Sequence, residues 1–236
     1  MAHRKKVSKP TSRYVDNDFP AGNFSLGRED FYDFIDDQHY GCLSPHRLAS
    51  QFTRQIKSCG IDFDYVYDEF LLDLDSRENI QKSAVKLFAC DEPKARPLYK
   101  QFNEATRAAL QREMSLRSYK FGLFFWLLNC IYEKRNTWRQ TRLYRGVNCE
   151  FNFSLRNSVF SFNQFVSFSG QKNIAMKFLS EGGTLFFIDG VSQMPISRYS
   201  PFPSEDEHLI HPDQAFKIVN VSMCDNLAVA QLKVHN

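Results

Sequence analysis

No stretch of this sequence is apolar for long enough to cross a bilayer. The longest, FGLFFWLLNCIY from Phe121 to Tyr132, contains Asn129 and falls well short of the roughly 20 residues that a spanning helix needs. No apolar segment follows the basic start His3-Arg4-Lys5-Lys6, so no signal peptide is read, and taken alone that absence argues for the cytoplasm. Closely spaced cysteines are also missing. The six lie at positions 42, 59, 90, 130, 149 and 224, without the short spacings of a structural zinc site, and no metal is expected. Spacing alone does not separate free buried thiols from long-range disulfides. An excess of one charge is lacking too: 30 basic and 27 acidic residues leave a net +3, too mild for a nucleic-acid reader. Neither G-x-G-x-x-G after a strand nor G-x-x-x-x-G-K-[ST] occurs, so the two commonest nucleotide-phosphate loops are absent.

What the chain does have is hydrophobic content of 43%, with 23 phenylalanines, enough for a large core. Residues 1–27 are polar and hold Pro10, Pro20, Gly22 and Gly27, which reads as a surface arm. Residues 28–136 read as a helical lobe. Ser44 caps a helix with Pro45 at its first position, and Leu48, Phe52 and Ile56 form one face before Gly60. Short helices are expected over Tyr65–Leu74 and from Asp75 or Ser76, then a longer one from Pro97. The last helix, through Phe121, Phe124, Phe125, Leu128 and Tyr132, is apolar nearly all round and should be the most buried. After Asn136 the pattern turns to short aromatic and β-branched segments. Strands are predicted at 142–144, 165–169, 183–189, 207–210, 215–221 and 228–234, with a short helix at 173–179. Residues 137–236 thus form a β-rich unit and the class is α+β. Asn-x-Ser sequons at Asn23, Asn152 and Asn220 matter only to a chain that meets the secretory pathway.

Three segments carry possible chemistry. In FPSEDEHLI, Glu205 and Glu207 stand two apart at the start of a strand, where period two would put both on one face and Asp206 on the other. Two such carboxylates suit a cationic transition state and an acceptor proton that must be removed, but a solvated acidic turn reads the same way. In LYRG, Arg145 offers a planar fork for phosphate oxygens beside Gly146, where a ligand can approach the backbone; a surface arginine is the plainer alternative. In FVSFSG, Ser167 and Ser169 share a face if extended, ready to hold a carboxylate or touch a ribose, or are merely exposed hydroxyls.

The order Arg, Ser-x-Ser, Glu-x-Glu resembles the arginine-specific mono-ADP-ribosyltransferases, the family with the R-S-ExE signature. Leu143-Tyr144-Arg145-Gly146 is similar to the family's YRG strand, and Phe165-Val166-Ser167-Phe168-Ser169 to its F-x-S-x-S strand. Residues 199–212, YSPFPSEDEHLIHP, are similar to its acidic segment, and Asp36–Cys42, DDQHYGC, to the DDQY-x-GC segment of vertebrate-type members. The likeness spans about residues 28–234. Phe168 stands where many members have threonine, and His39 is inserted in the DDQY string.

The resemblance implies a helical amino-terminal lobe packed on a mixed or antiparallel two-sheet core, with NAD bound in a cleft as the ADP-ribose donor. The implied reaction passes ADP-ribose to an arginine of a target protein and releases nicotinamide. In that reading Arg145 clamps phosphate, and the backbone of Tyr144 and Gly146 faces the nicotinamide amide. Ser167 positions Glu207, while Ser169 supports the strand or the ribose. Phe186 or Phe202 covers the ring or shapes the acceptor site. Glu207 stabilises the positive sugar and Glu205 prepares the incoming guanidinium. Members of this branch are commonly extracellular, against the cytoplasmic reading above, and disulfide-bonded; Cys42 is similar to the first cysteine of their bond, with Cys224 as its candidate partner. Two alternatives stand beside this one: an NAD glycohydrolase, which needs Glu207 but not Glu205, and a catalytically silent binding protein of the same fold.

Overall fold

A computed structural model of the chain describes residues 28–90, 96–151 and 157–235. Six helices come first: α1 (Arg28–Asp37), α2 (Pro45–Ser58), α3 (Phe63–Phe70), α4 (Arg77–Phe88), α5 (Arg96–Leu110) and α6 (Gly122–Arg135). Capping chemistry sets several starts. Ser44 Oγ accepts from Arg47 N with Pro45 in the first turn, and the side chains of Asp62 and Ser76 cap α3 and α4 in the same way. Leu48, Phe52 and Ile56 of α2 are fully buried, as their spacing requires. In α6 the residues from Gly122 to Phe125 are buried, as are Leu127, Leu128, Ile131 and Tyr132. That helix forms the centre of the helical layer, where the Phe125 ring meets Phe31 edge-on at 4.9 Å.

Seven strands follow: β1 (Thr137–Val147), β2 (Val159–Phe160), β3 (Val166–Ser169), β4 (Thr184–Pro195), β5 (Glu207–Ile210), β6 (Ala215–Cys224) and β7 (Leu227–His235). Helix α7 (Lys172–Met176) lies between β3 and β4. The strands join in one hydrogen-bonded network of order β1-β3-β5-β4-β7-β6-β2, in which β1 also pairs with β4. The β4–β7 pairing is parallel and the others are antiparallel. The first half of β4 lies beside β7, while Met194 and Pro195 pair with β5, so β1, β3, β5 and β4 close a ring. Opposite Gly190, which takes φ +70°, β1 carries the two residues Gln140 and Thr141; the extra residue makes a β-bulge. The class is α+β.

Alternation along the strands splits their side chains between two cores. Phe165, Met194 and Leu209 pack with the helices, whereas Val166, Phe168, Phe186, Ile188 and Ile210 fill a second core with β6 and β7. The strand predicted over 142–144 starts earlier, at Thr137, because its first six residues are exposed and are held by pairing with β4 rather than by burial. The expected bond between Cys42 and Cys224 is not formed: both are exposed free thiols, and Cys224 Sγ lies 3.8 Å from the carboxylate of its neighbour Asp225. The arm over 1–27 and the sequons at Asn23 and Asn152 lie outside the described residues; Asn220 is exposed on β6.

Where β5 ends, His211 ties it to the helices. Its Nε2–H donates to Asn129 Oδ1 at 2.8 Å, its Nδ1 accepts from Asp213 N at 3.2 Å, and the rings of Tyr32, Phe125, Tyr132 and Phe165 surround it. Burial pulls its pKa down to about 4; Asp213 opposes this and Arg28 adds to it. The unfolded chain takes up this proton near pH 6.5 and the folded chain does not, so stability should fall as pH drops from about 6.5 to about 4. His208, also lowered by burial, acts in the same direction. In denaturant titrations at pH 7 and pH 5, His211→Phe should shrink the stability difference by about 2 kcal/mol. An unchanged difference would exclude His211 as the acid-sensitive joint.

Candidate active site

The three segments singled out in the sequence come together where β1, β3 and β5 lie side by side. β3 pairs with β1 only at Tyr144↔Ser169, and with β5 along its whole length, from Val166↔Ile210 to Ser169↔Glu207. Beyond Tyr144 the β1–β3 ladder stops. There Arg145 Nη1 donates to the backbone oxygen of Ser167 at 2.8 Å, and the guanidinium lies 5.8 Å from the centre of the Phe162 ring. Arg145 is 2% exposed, among the largest buried side chains in the molecule. A buried guanidinium must be hydrogen-bonded, and here it supplies a donor to the strand oxygen at the end of the ladder.

Glu207 opens β5 and is 4% exposed. Its own backbone oxygen accepts from Ile196 N at 2.9 Å and Ser197 Oγ at 3.4 Å. Ser169, rather than Ser167, stands directly across from it; Ser167 faces Leu209 and is the diagonal neighbour on the same side of the sheet, within range of a side chain as long as glutamate. The Ser169 hydroxyl donates to Glu205 O at 2.6 Å and accepts from Gln171 N at 3.0 Å.

Glu205 is not part of β5. It ends a one-turn 3₁₀ segment, Pro203–Glu205, and Asp206 then takes a left-handed conformation (φ 47°, ψ 56°). The even-spacing rule therefore fails for this pair: alternation begins at Glu207, and the turn sets the direction of Glu205. Glu205 is half-buried, and Phe202, at the head of the turn, is 41% exposed. Phe186 is fully buried in the second core, cross-strand from Arg145 and edge-on to Phe162.

Gly146 leaves no room for a side chain. A Cβ there would lie 2.2 Å from the backbone oxygen of Ala175, so the segment closing α7 comes close to the β1 backbone. Tyr144 is half-buried, flanked by Ser169 on β3 and Phe187 on β4. Next to this pair Arg142 and Asp189 make a two-pronged ion pair, each contact 2.7 Å. Hydrogen bonding to Arg142 holds the Asp189 carboxyl below its ordinary value.

Sequence reasoning did not single out Gly170, Gln171 or His208 and gave Asp206 no role, yet all four bear on the acidic turn. Gly170 N donates to Asp206 O at 2.9 Å, Gln171 Nε2 donates to Ser204 O at 2.9 Å, and His208 Nε2 contacts Asp206 Oδ1 at 3.2 Å. The glycine after the serine strand was the available signal. Among the described residues no group of three or more His, Cys, Asp or Glu is placed to hold a metal, and no helix is long and apolar enough to cross a membrane.

The chain is similar to known proteins. The chain is 36% identical over 124 residues to NAD(P)(+)--arginine ADP-ribosyltransferase 1 of Gallus gallus, covering 51% of this chain and 39% of that protein. It is 33% identical over 131 residues to the GPI-linked NAD(P)(+)--arginine ADP-ribosyltransferase 1 of Mus musculus, covering 53% and 40%. Each match thus spans about two fifths of the curated relative. A solved structure of a mutant of the eukaryotic mono-ADP-ribosyltransferase ART2.2 in complex with NAD superposes with a TM-score of 0.55 at 16% identity, covering 97% of this chain and 94% of that one, which shows a shared fold. Residues 79–236, from within α4 through the whole sheet, match the family described as NAD:arginine ADP-ribosyltransferase. The chain belongs to that family.

Proposed function

We propose that this protein cleaves the bond between nicotinamide and ribose in NAD and transfers the ADP-ribosyl group to an arginine side chain of another protein. The observation that carries the reading is the junction itself. A buried glutamate stands on β5 where the β1–β3 ladder opens around a buried arginine, and a second glutamate sits beside it on a separate turn. NAD would enter that opening between the two arms of the strand network, which this reading takes as the two sheets of the family core. Backbone groups of Tyr144 and Gly146 would face the nicotinamide amide. Arg145 would hold the β3 edge and clamp phosphate oxygens.

In the reaction the C1′–N bond breaks and its electron pair leaves with the nicotinamide nitrogen. The ribose carbon becomes oxocarbenium-like, and Glu207, on the 2′-hydroxyl, disperses that charge. A guanidinium nitrogen then attacks C1′ and its proton passes to Glu205. Free guanidinium holds its proton at any ordinary pH and is a poor nucleophile until that proton is shared, which accounts for a second carboxylate. Phe202 is the exposed aromatic beside this acceptor position, and the arginine-bearing target would approach from its side.

The two glutamates can be separated by experiment. Glu205→Gln should lower ADP-ribosylation of a small guanidine such as agmatine by at least about tenfold while nicotinamide release into water persists. Chromatography of both products from one reaction measures the two together. Transfer at the parent rate would remove Glu205 from the mechanism. A parent protein that releases nicotinamide but modifies no guanidine would be an NAD glycohydrolase.

A further inference from the structure

The backbones of Glu205 and Glu207 are held by different parts of the molecule. Glu207 is a sheet residue, fixed by its pairing with Ser169 and by the Ile196 N–H on its backbone oxygen. Glu205 is fixed through its turn. Three consecutive turn oxygens, those of Ser204, Glu205 and Asp206, accept from Gln171 Nε2 (2.9 Å), Ser169 Oγ (2.6 Å) and Gly170 N (2.9 Å). The segment Ser169-Gly170-Gln171 therefore staples the turn from one side.

A second contact fixes the backbone bend between the glutamates. Asp206 has φ 47°, a region that aspartate tolerates better than most residues but that still costs on the order of 1 kcal/mol. Its carboxylate lies over Gly170, where a Cβ would come within 2.0 Å of Oδ2, and its Oδ1 meets Nε2 of His208, a residue only 7% exposed. A neutral ring with its proton on Nε2 donates to that oxygen. The ring and the glycine thus fix where the Asp206 side chain lies, and with it the left-handed step that aims Glu205 relative to Glu207.

We propose that Gln171 and the Asp206–His208 contact are positioning residues for Glu205, and that they set the ratio of arginine transfer to NAD hydrolysis. The proposal rests on the function proposed above. Its physical basis is the separation of the two anchors. Loosening the staple lets the turn shift by a fraction of an ångström to an ångström, enough to spoil a proton acceptor. The sheet holds Glu207 in place meanwhile, so breakage of the nicotinamide bond continues and water takes the ribosyl carbon. Gln171 is exposed, so losing its bond should barely change stability.

The test uses the whole chain, saturating NAD and agmatine as acceptor, with nicotinamide release and ADP-ribosyl-agmatine measured in the same samples. Gln171→Met keeps the length and removes the donor; it should lower the ratio of transfer to nicotinamide release by about 3- to 10-fold, with the KM for NAD unchanged. Gln171→Lys, which returns a donor, should restore most of the ratio. Asp206→Asn keeps both an acceptor oxygen and a tolerance for the left-handed backbone and should behave like the parent, whereas Asp206→Ala should fall with Gln171→Met. An unchanged ratio in Gln171→Met, or transfer and release declining in parallel, overturns the proposal. A parent that releases no nicotinamide overturns the proposed function instead, and the two failures are distinguishable in one data set.

Discussion

Replacing Glu207 with glutamine is expected to lower nicotinamide release and arginine transfer together, each by at least about 100-fold. Glutamine matches glutamate in shape, so the 4% exposed site should stay filled and β5 should keep its pairing with β3. What disappears is the negative charge. In the proposed mechanism that charge faces a ribose that is neutral before the bond breaks and positive as it breaks, so its contribution falls almost wholly on the transition state. Burial strengthens the effect, because charges interact more strongly away from water. Pre-steady-state release of nicotinamide measures the bond-breaking step without the acceptor. A unimodal melting transition close to the parent's would show that the fold is intact. Release within about tenfold of the parent would remove Glu207 as the stabilising carboxylate. The contrast with Glu205→Gln is the essential part: one substitution should stop both half-reactions and the other should stop only the second.

Gly146→Ala is expected to produce the largest loss of stability among single glycine substitutions at the site. The new methyl carbon would stand 2.2 Å from the backbone oxygen of Ala175 and 3.0 Å from Leu179 Cγ. A main-chain oxygen cannot rotate away, so the segment closing α7 must move off β1. Overpacking of this kind costs about 1–3 kcal/mol, and a backbone obstacle places it at the upper end. Gly60→Ala is the proper comparison. Gly60 has φ +73° and nothing within 4 Å of an added Cβ, so it isolates the backbone penalty of about 1 kcal/mol. Denaturant midpoints for the two variants should therefore differ by about 2 kcal/mol in ΔG, with Gly146→Ala the less stable. Equal losses would mean that α7 yields freely. Because Arg145 precedes Gly146, the same substitution should also weaken NAD binding.

The fold and the site were legible in the sequence to different depths. The helix starting at Ser44-Pro45 and the buried face Leu48, Phe52 and Ile56 follow from local capping and period, which act within one or two turns. Strand β5 was read at its observed bounds because Glu207–Ile210 is short and bracketed by turn residues. Strand β2 is two residues long and carries no period to read, and the exposed first half of β1 shows no burial pattern. The closed ring β1-β3-β5-β4 arises from pairings between segments far apart in the chain, which no local pattern encodes.

The sequence by itself determined the helical first half and β-rich second half, and the identity and order of the arginine, serines and glutamates, because these depend on residue type and near-neighbour spacing. Only the tertiary structure decided which groups those residues touch. It buried Phe186 and left Phe202 exposed, turned the Ser169 hydroxyl to the Glu205 oxygen, left Cys42 and Cys224 as separate thiols, and placed α7 against Gly146. It also took Glu205 off the strand by one left-handed residue. Each of these outcomes depends on contacts between elements distant in sequence, whose packing selects among local conformations that differ by only about 1–2 kcal/mol.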